Sequence, residues 1–208
     1  MIKQVMIKRG MDLVLAGGGL LVLAPLLGTT ALAIVATMGR PVLFRQRRPG
    51  RGGRPFTILK FRTMVEPGSE AERLTSDGAR VTRLGRLLRK TSIDELPELW
   101  NVLRGDMSLV GPRPLLMEYL DKYTPEQARR HEVRPGITGW AQIHGRQALR
   151  FSERLALDVW YVDHASLALD LQILARTLLP VLRGDGQDTG QSLAEVDDLG
   201  FFDRGEPR

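Results

Sequence analysis

The chain has 208 residues, no cysteine and a formal net charge of +6, with a sequence pI of about 10.1. This length suits one ordinary core, or a core with a membrane anchor, and the lack of cysteine excludes disulfides and thiolate zinc sites and fits a reducing cytoplasm. The basic excess calls for an anionic partner: nucleic acid, anionic lipid or a phosphorylated substrate.

The charge is uneven along the chain. Residues 1–62 hold eleven Lys/Arg and one acid, Asp12, whereas the stretch from Asp185 onward holds seven acids and two arginines. The cations therefore travel with the apolar N-terminus, as in a protein seated on an anionic membrane.

From Leu13 to Met38 no side chain is charged. As a helix these residues would measure about 39 Å, enough to cross a ~30 Å hydrocarbon core with tilt. Pro25 sits mid-run, where it removes a backbone hydrogen bond and kinks a helix. Lys3, Lys8 and Arg9 precede the run; Arg40, Arg45, Arg47 and Arg48 follow it. The positive-inside rule then places both ends on the cytoplasmic side, which a helix broken at Pro25 and returning to its own face would satisfy. On the residues alone, a proline-kinked spanning helix and a re-entrant hairpin both stand.

Pro41 to Leu59 reads as a loop followed by a short strand at Phe56–Leu59. Lys60 and Arg62 fall on one side of an extended chain. Residues 66–78 read as a polar, partly mobile segment. Val81, Leu84, Leu87 and Leu88 keep helical spacing, with Arg80, Arg83, Arg86, Arg89 and Lys90 opposite. Ile93–Leu103 is expected as one helix with Leu96, Leu99, Trp100 and Leu103 inward, ended by Gly105. Gly111-Pro112-Arg113-Pro114 forms a rigid turn, Pro125–Glu132 a helix, and Arg134–Trp140 a Pro/Gly loop. Phe151–His164 and Leu167–Leu182 read as amphipathic helices able to lie on a bilayer or a core. The acidic, Gly-rich end after Gly184 is expected to be extended or loosely ordered. Three regions follow: residues 1–40 as membrane element, 41–184 as the main domain, which carries the motifs below, and 185–208 as acidic tail.

Thr91-Ser92-Ile93-Asp94-Glu95-Leu96-Pro97-Glu98-Leu99 carries the chemistry. Ser92-x-x-Glu95 matches a helix capping box, and Asp94 in a first turn favours the helix dipole, so both carboxylates have a structural reading. The functional reading is a carboxylate attacking phosphorus, which needs cations against the phosphate oxygens. Lys60, Arg62, Arg89 and Arg113 could supply them, with Mg²⁺ bound through Asp94 and substrate phosphates. Adjacent carboxylates can divide the labour of nucleophile and base. His131, His144 and His164 have no metal-ligand spacing.

Four motifs carry a resemblance: Lys60-Phe61-Arg62-Thr63-Met64, Arg89 to Val102, Gly105 to Pro114, and Arg134 to Gln142. In this order they resemble the bacterial sugar transferases, the monotopic phosphoglycosyl transferases, over nearly the whole chain to about Gly184. The length looks like the minimal catalytic version. The resemblance implies an α+β, mostly helical fold: a re-entrant N-terminal membrane hairpin, a cytoplasmic catalytic domain with amphipathic interface helices, and a short β element, seated on the inner membrane. It implies transfer of sugar-1-phosphate from a UDP-sugar to a polyprenol phosphate such as undecaprenyl phosphate, with release of UMP. Asp94 takes the nucleophile's place, forming a phosphosugar intermediate in a ping-pong cycle, and also contacts Mg²⁺. Glu95 assists the incoming polyprenol phosphate. Arg89 and Arg113 match phosphate-contacting arginines, Arg146 one near the nucleotide, and Lys60 and Arg62 the basic motif beside the site. Relatives often carry Ser where Ala24 stands before Pro25. Trp160 and Tyr161 would help set the depth in the membrane.

Two other classes compete on the residues. A non-catalytic basic membrane adaptor would not need Asp94 and Glu95. A nucleic-acid binder would leave the apolar N-terminus without a role, so no nucleic acid is expected. Membrane lipid is an expected partner, while the sugar, the pathway and the oligomeric state, a homodimer included, stay open.

Overall fold

The computed structural model describes residues 2–65, 80–145, 149–183 and 197–201. The polar segment expected over 66–78 lies outside the described residues. The fold is mostly helical with two small two-stranded sheets, in agreement with the expected α+β class.

Helix α1 (Ile2–Val22) and helix α2 (Ala24–Met38) meet at Leu23 with a 60° bend. Pro25 lies in the first turn of α2, where its missing N–H is tolerated, so the break falls just before it. No single described helix is long and apolar enough to cross a membrane. Both arms rest on the same folded body. Ala16 on α1 is fully buried among Val102, Met107 and Ile173, and Leu103 and Leu99 lie against α1 beside Gly17 and Gly19. On α2, Ile34 is buried against Phe61 and Leu88. Val14, Leu21, Val22 and Leu32 remain exposed.

The cations before the apolar run serve a purpose that hydropathy conceals. Lys8 pairs with Asp170 at 2.7 Å and donates to the Val110 carbonyl at 3.0 Å. Arg9 donates to the carbonyls of Val102 and Leu103 at 2.6 and 2.9 Å. Those carbonyls end a helix, where a cation meets the negative end of the dipole. Buried Asp12 accepts from Ser108 Oγ and the Leu109 amide. Lys8 and Arg9 thus tie α1 to the folded body.

The segment from Pro41, expected as a loop, instead holds strand β1 (Leu43–Pro49), paired antiparallel with β2 (Pro55–Phe61) across Leu43↔Phe61 to Pro49↔Pro55. Its run of basic side chains hides the period-two alternation that would mark a strand. Helix α3 (Arg83–Lys90) starts at Thr82, whose Oγ1 accepts from the Gly85 amide at 2.9 Å. Gly85 is obligatory here, because a Cβ would stand 1.9 Å from the Thr63 carbonyl oxygen.

The helix expected over Ile93–Leu103 is split into a single 3₁₀ turn, Ile93–Glu95, and helix α4 (Glu98–Arg104). Pro97 causes the split: it has no N–H for the Ile93 carbonyl and its ring crowds that oxygen. Leu99 and Leu103 pack on the core as expected, but Trp100 is 52% exposed, and Glu98, Asn101 and Val102 are the fully buried residues of α4. Gly105 ends α4 at φ 90°, as expected.

Strand β3 (Ser108–Val110) and strand β4 (Gly136–Thr138) pair in parallel, so the Arg134–Trp140 loop contains a strand. Arg134 donates to the Gly105 carbonyl at 2.9 Å, and Thr138 bonds Thr177 at 2.8 Å. This motif therefore joins the centre of the body. The expected helix at Pro125–Glu132 is a short α5 (Pro125–Ala128), capped by Thr124 and Gln127, followed by a 3₁₀ turn at Arg129–His131. A short α6 (Trp140–Ile143) precedes α7 (Phe151–His164) and α8 (Leu167–Arg183), both near their expected bounds.

Trp160 is partly exposed and stacks on Trp140 and His164. Tyr161 is not an interface anchor: it is buried, and its hydroxyl donates to Asp170 at 2.6 Å. The described part of the acidic tail is docked, not extended. Phe201 is buried against Tyr119 and Phe151, and Asp198 accepts from the Ser152 amide at 3.1 Å.

Candidate active site

Asp94 and Glu95 occupy the 3₁₀ turn between α3 and α4, and both are buried, at 7% and 8% exposure. The capping-box reading fails. Ser92 sits in the left-handed region at φ 56°, and its side chain caps nothing. A cap residue needs extended geometry, and a non-glycine residue in the left-handed region costs roughly 1–2 kcal/mol. The cost is met by a sharp reversal that turns both carboxylates inward.

Glu95 is claimed by cations instead. Lys60 reaches its Oε1 at 2.6 Å. Arg113 donates to Glu95 through both terminal nitrogens, one of them to Oε2 at 3.4 Å. Lys60 also lies 3.2 Å from Oε1 of Glu98, an ion pair without hydrogen-bond alignment. Burial alone would raise the Glu95 pKa, but Arg113 and Lys60 outweigh it and hold the carboxyl well below the usual range.

Three carboxylates thus share two close cations, and the shortfall appears in the other two. Burial, then the adjacent Glu95, pushes Asp94 up to about 6, with Lys60, Arg113 and Arg89 acting the other way. Burial likewise raises Glu98 to about 7, against the pull of Lys60. Among the described residues no hydrogen bond or ion pair engages the Asp94 side chain, which leaves its carboxylate available.

Each cation is delivered by a different device. Asn101, fully buried on α4, accepts from the Leu59 amide at 3.0 Å and donates to the Thr57 carbonyl at 2.7 Å. This clamps β2 to α4 and carries Lys60 to Glu95. Arg113 is held through its own carbonyl, which accepts from Arg130 at 2.7 Å. Arg130 is paired in turn with Asp158 at 2.6 Å, both essentially without solvent exposure. Arg89, half-buried at the end of α3, donates to Thr63 at 3.0 Å.

The structure brings together Asp94, Glu95, Lys60 and Arg113, with Arg89 adding its field. Arg62 is not joined to this group. It is buried and donates to the carbonyls of Met38 and Gly39, the latter at 2.8 Å, where it braces the end of α2. Arg146 lies outside the described residues. Sequence reasoning missed Glu98, Asn101, Arg130 and Asp158. Asp158 had a signal: a carboxylate in line with Leu155 and Val159 on the apolar stripe of α7. Arg130 had none.

Neutralising Glu95 as Glu95→Gln removes the charge that fixes Lys60 and Arg113 and leaves the fold standing. Turnover is expected to fall about 10²-fold or more, read from initial rates with the melting temperature as control. A rate within threefold of wild type would remove Glu95 from the machinery.

Among the described residues no three His, Asp or Glu side chains converge on a metal site. A divalent cation at Asp94 would take its other ligands from substrate phosphates and water, the usual Mg²⁺ arrangement. The available carboxylate of Asp94 fits that role.

A family model described as bacterial sugar transferase matches residues 3–184. An uncharacterised sugar transferase of Bacillus subtilis (strain 168) is 56% identical over 167 residues, covering 80% of this chain and 83% of that protein. A UDP-glucose:undecaprenyl-phosphate glucose-1-phosphate transferase of Caulobacter vibrioides is 47% identical over 188 residues, covering 86% of this chain and 70% of that one. A UDP-N-acetylgalactosamine-undecaprenyl-phosphate N-acetylgalactosaminephosphotransferase of Aeromonas hydrophila is 43% identical, and the chain spans 44% of its length.

Proposed function

The chain belongs to the bacterial sugar transferase family, and from that premise we propose that it transfers sugar-1-phosphate from a UDP-sugar to undecaprenyl phosphate. The observation that carries this reading is the buried carboxylate of Asp94, without a donor of its own, beside a Glu95 already neutralised by Lys60 and Arg113.

In the first step an Asp94 oxygen attacks the sugar-bearing phosphorus. The bond from that phosphorus to the bridging oxygen breaks, and UMP leaves with the electron pair. In the second step an oxygen of the lipid phosphate attacks the same phosphorus and Asp94 departs as carboxylate. Arg113, Lys60 and Arg89 offset charge on the phosphate oxygens as it moves between donor, enzyme and acceptor. Mg²⁺, when bound at Asp94, would offset charge on the donor's phosphates as UMP departs. Glu95 keeps the two cations in place and stays ionised, ready to orient the incoming acceptor. Arg62 serves by bracing α2, and Arg146 is assigned to the nucleotide by resemblance.

The bent pair α1–α2 suits a re-entrant seat at the cytoplasmic face of the inner membrane. Both arms pack on one body, which supports a seat with both outer ends on one side of a bilayer. Arms of 21 and 15 residues meeting at a 60° bend reach an apex at most about 13 Å deep, within one leaflet of a ~30 Å core. Asp94 would then sit near the headgroups, where a lipid phosphate and a soluble nucleotide both arrive.

The test is UMP release from a panel of UDP-sugars, with Mg²⁺ and undecaprenyl phosphate in nanodiscs. One sugar should release UMP, and kcat/KM should fall tenfold per pH unit below about 6 as Asp94 takes up its proton. No release from any donor by folded protein would reject the reading.

A further inference from the structure

A cleft of about 840 Å³ opens between the end of α2 and β1, outside the group around Asp94. We infer that it receives the phosphate and first isoprene units of the polyprenyl phosphate acceptor, which places the lipid-entry side of the site at Arg40, Phe44 and Arg45.

The lining has two parts. Val35, Leu43 and Phe44 supply an apolar wall, and Phe44 is 44% exposed. Arg40, Arg45 and Arg62 supply three guanidinium groups, and among the described residues no acid lines the cleft. Arg40 and Arg45 are exposed, and among the described residues neither has a hydrogen-bond or ion-pair partner. Arg62 is the buried member, and its Nε is enclosed with no hydrogen-bond partner. Guanidinium is the group that grips phosphate through paired N–H donors. An apolar wall beside a cationic rim matches a ligand with a phosphate head and a hydrocarbon chain.

Position completes the argument. Phe44 stands directly opposite Lys60 in the β1–β2 ladder, so cleft and catalytic group share one two-stranded ribbon. Directly opposed residues lie about 5 Å apart. The cleft also adjoins the end of α2, the arm that meets the bilayer under the proposed seat. A lipid phosphate moving along this ribbon passes from membrane to Lys60 without crossing the folded body.

This inference rests on the proposed transferase reading, so two independent measurements test it. The first is photolabelling of wild-type protein in nanodiscs with a diazirine-bearing short polyprenyl phosphate. Label is expected in the peptide spanning 40–45, undiminished by a matched mole fraction of phosphatidylglycerol. Label elsewhere, or displacement by phosphatidylglycerol, overturns the inference, the latter in favour of a bulk anionic-lipid contact. Because labelling needs no turnover, an inactive protein labelled at 40–45 would fail the transferase reading and keep the lipid site. The second is the Arg40→Glu/Arg45→Glu variant. Its KM for the polyprenyl phosphate is expected to rise at least tenfold while its KM for the UDP-sugar stays within twofold. Equal rises in both, or no rise in either, overturn the assignment.

Discussion

Asp94→Asn is expected to lower UMP release by at least about 10⁴-fold, the scale seen when an enzyme loses its nucleophile, while making the substrate-free protein more stable at neutral pH. The first effect follows because the amide cannot form the acyl-phosphate bond, and no other described carboxylate is free to replace it: Glu95 and Glu98 are engaged with Lys60. Mass spectrometry should show a phosphosugar adduct on the wild type, given UDP-sugar without acceptor, and none on the variant. The second effect follows from linkage. Burial raises the Asp94 pKa from 3.8 to about 6, so the native state binds this proton more tightly than the unfolded chain. The associated stability is full below about pH 4 and is lost as pH rises through 6. Above that, ionised Asp94 costs roughly 3 kcal/mol, a burden that asparagine does not carry. The variant should therefore melt higher than wild type at pH 8, with the gap closing toward pH 4. A variant that is less stable at pH 8 would contradict the electrostatics described here, and one that kept wild-type turnover would end the mechanism.

Arg130→Met is expected to destabilise the fold by about 3–5 kcal/mol, because it strands the Asp158 carboxylate in the interior. Neither partner has more than 2% exposure, and the pair is joined at 2.6 and 3.1 Å. Burial pushes Asp158 up while Arg130 pulls it down, so removal of the cation leaves the desolvation unopposed. Arg130 also donates to the Tyr123 hydroxyl and the Arg113 carbonyl, which makes it a positioning residue for Arg113. The double variant Arg130→Met/Asp158→Leu separates the two roles. Its melting temperature should recover most of the loss, since apolar replacement of a buried pair is often neutral. Its kcat should stay roughly 10-fold or more below wild type, because small misplacements of a charge clamp are costly to the rate. Recovery of stability and rate together would show that Arg130 is purely structural.

Helices with strong apolar periodicity were legible: α7 and α8 lie near their expected bounds, and Gly105 and the break near Pro25 fall where residue type places them. The strands were harder. β1 carries three arginines in seven residues, and β3 and β4 have three residues each, too few to show any period. At the site, Ser92-x-x-Glu95 matched a cap by spacing, but spacing cannot report that Ser92 takes a left-handed conformation. Lys60 and Arg62 looked equivalent from their alternation, yet one serves Glu95 and the other the end of α2.

What the sequence determined alone is the chemical inventory: a carboxylate pair, a supply of phosphate-binding cations and an apolar segment interrupted at Pro25. These follow from residue type, which sets charge, hydropathy and backbone freedom before any folding. Tertiary structure alone decided the assignments. Lys60 meets Glu95 across 35 residues, and Lys8 meets Asp170 across 162. Such partners are chosen when distant segments are packed together, and local spacing carries no record of that choice. The same packing leaves Asp94 as the carboxylate without a partner, because two cations close at hand cannot neutralise three buried acids.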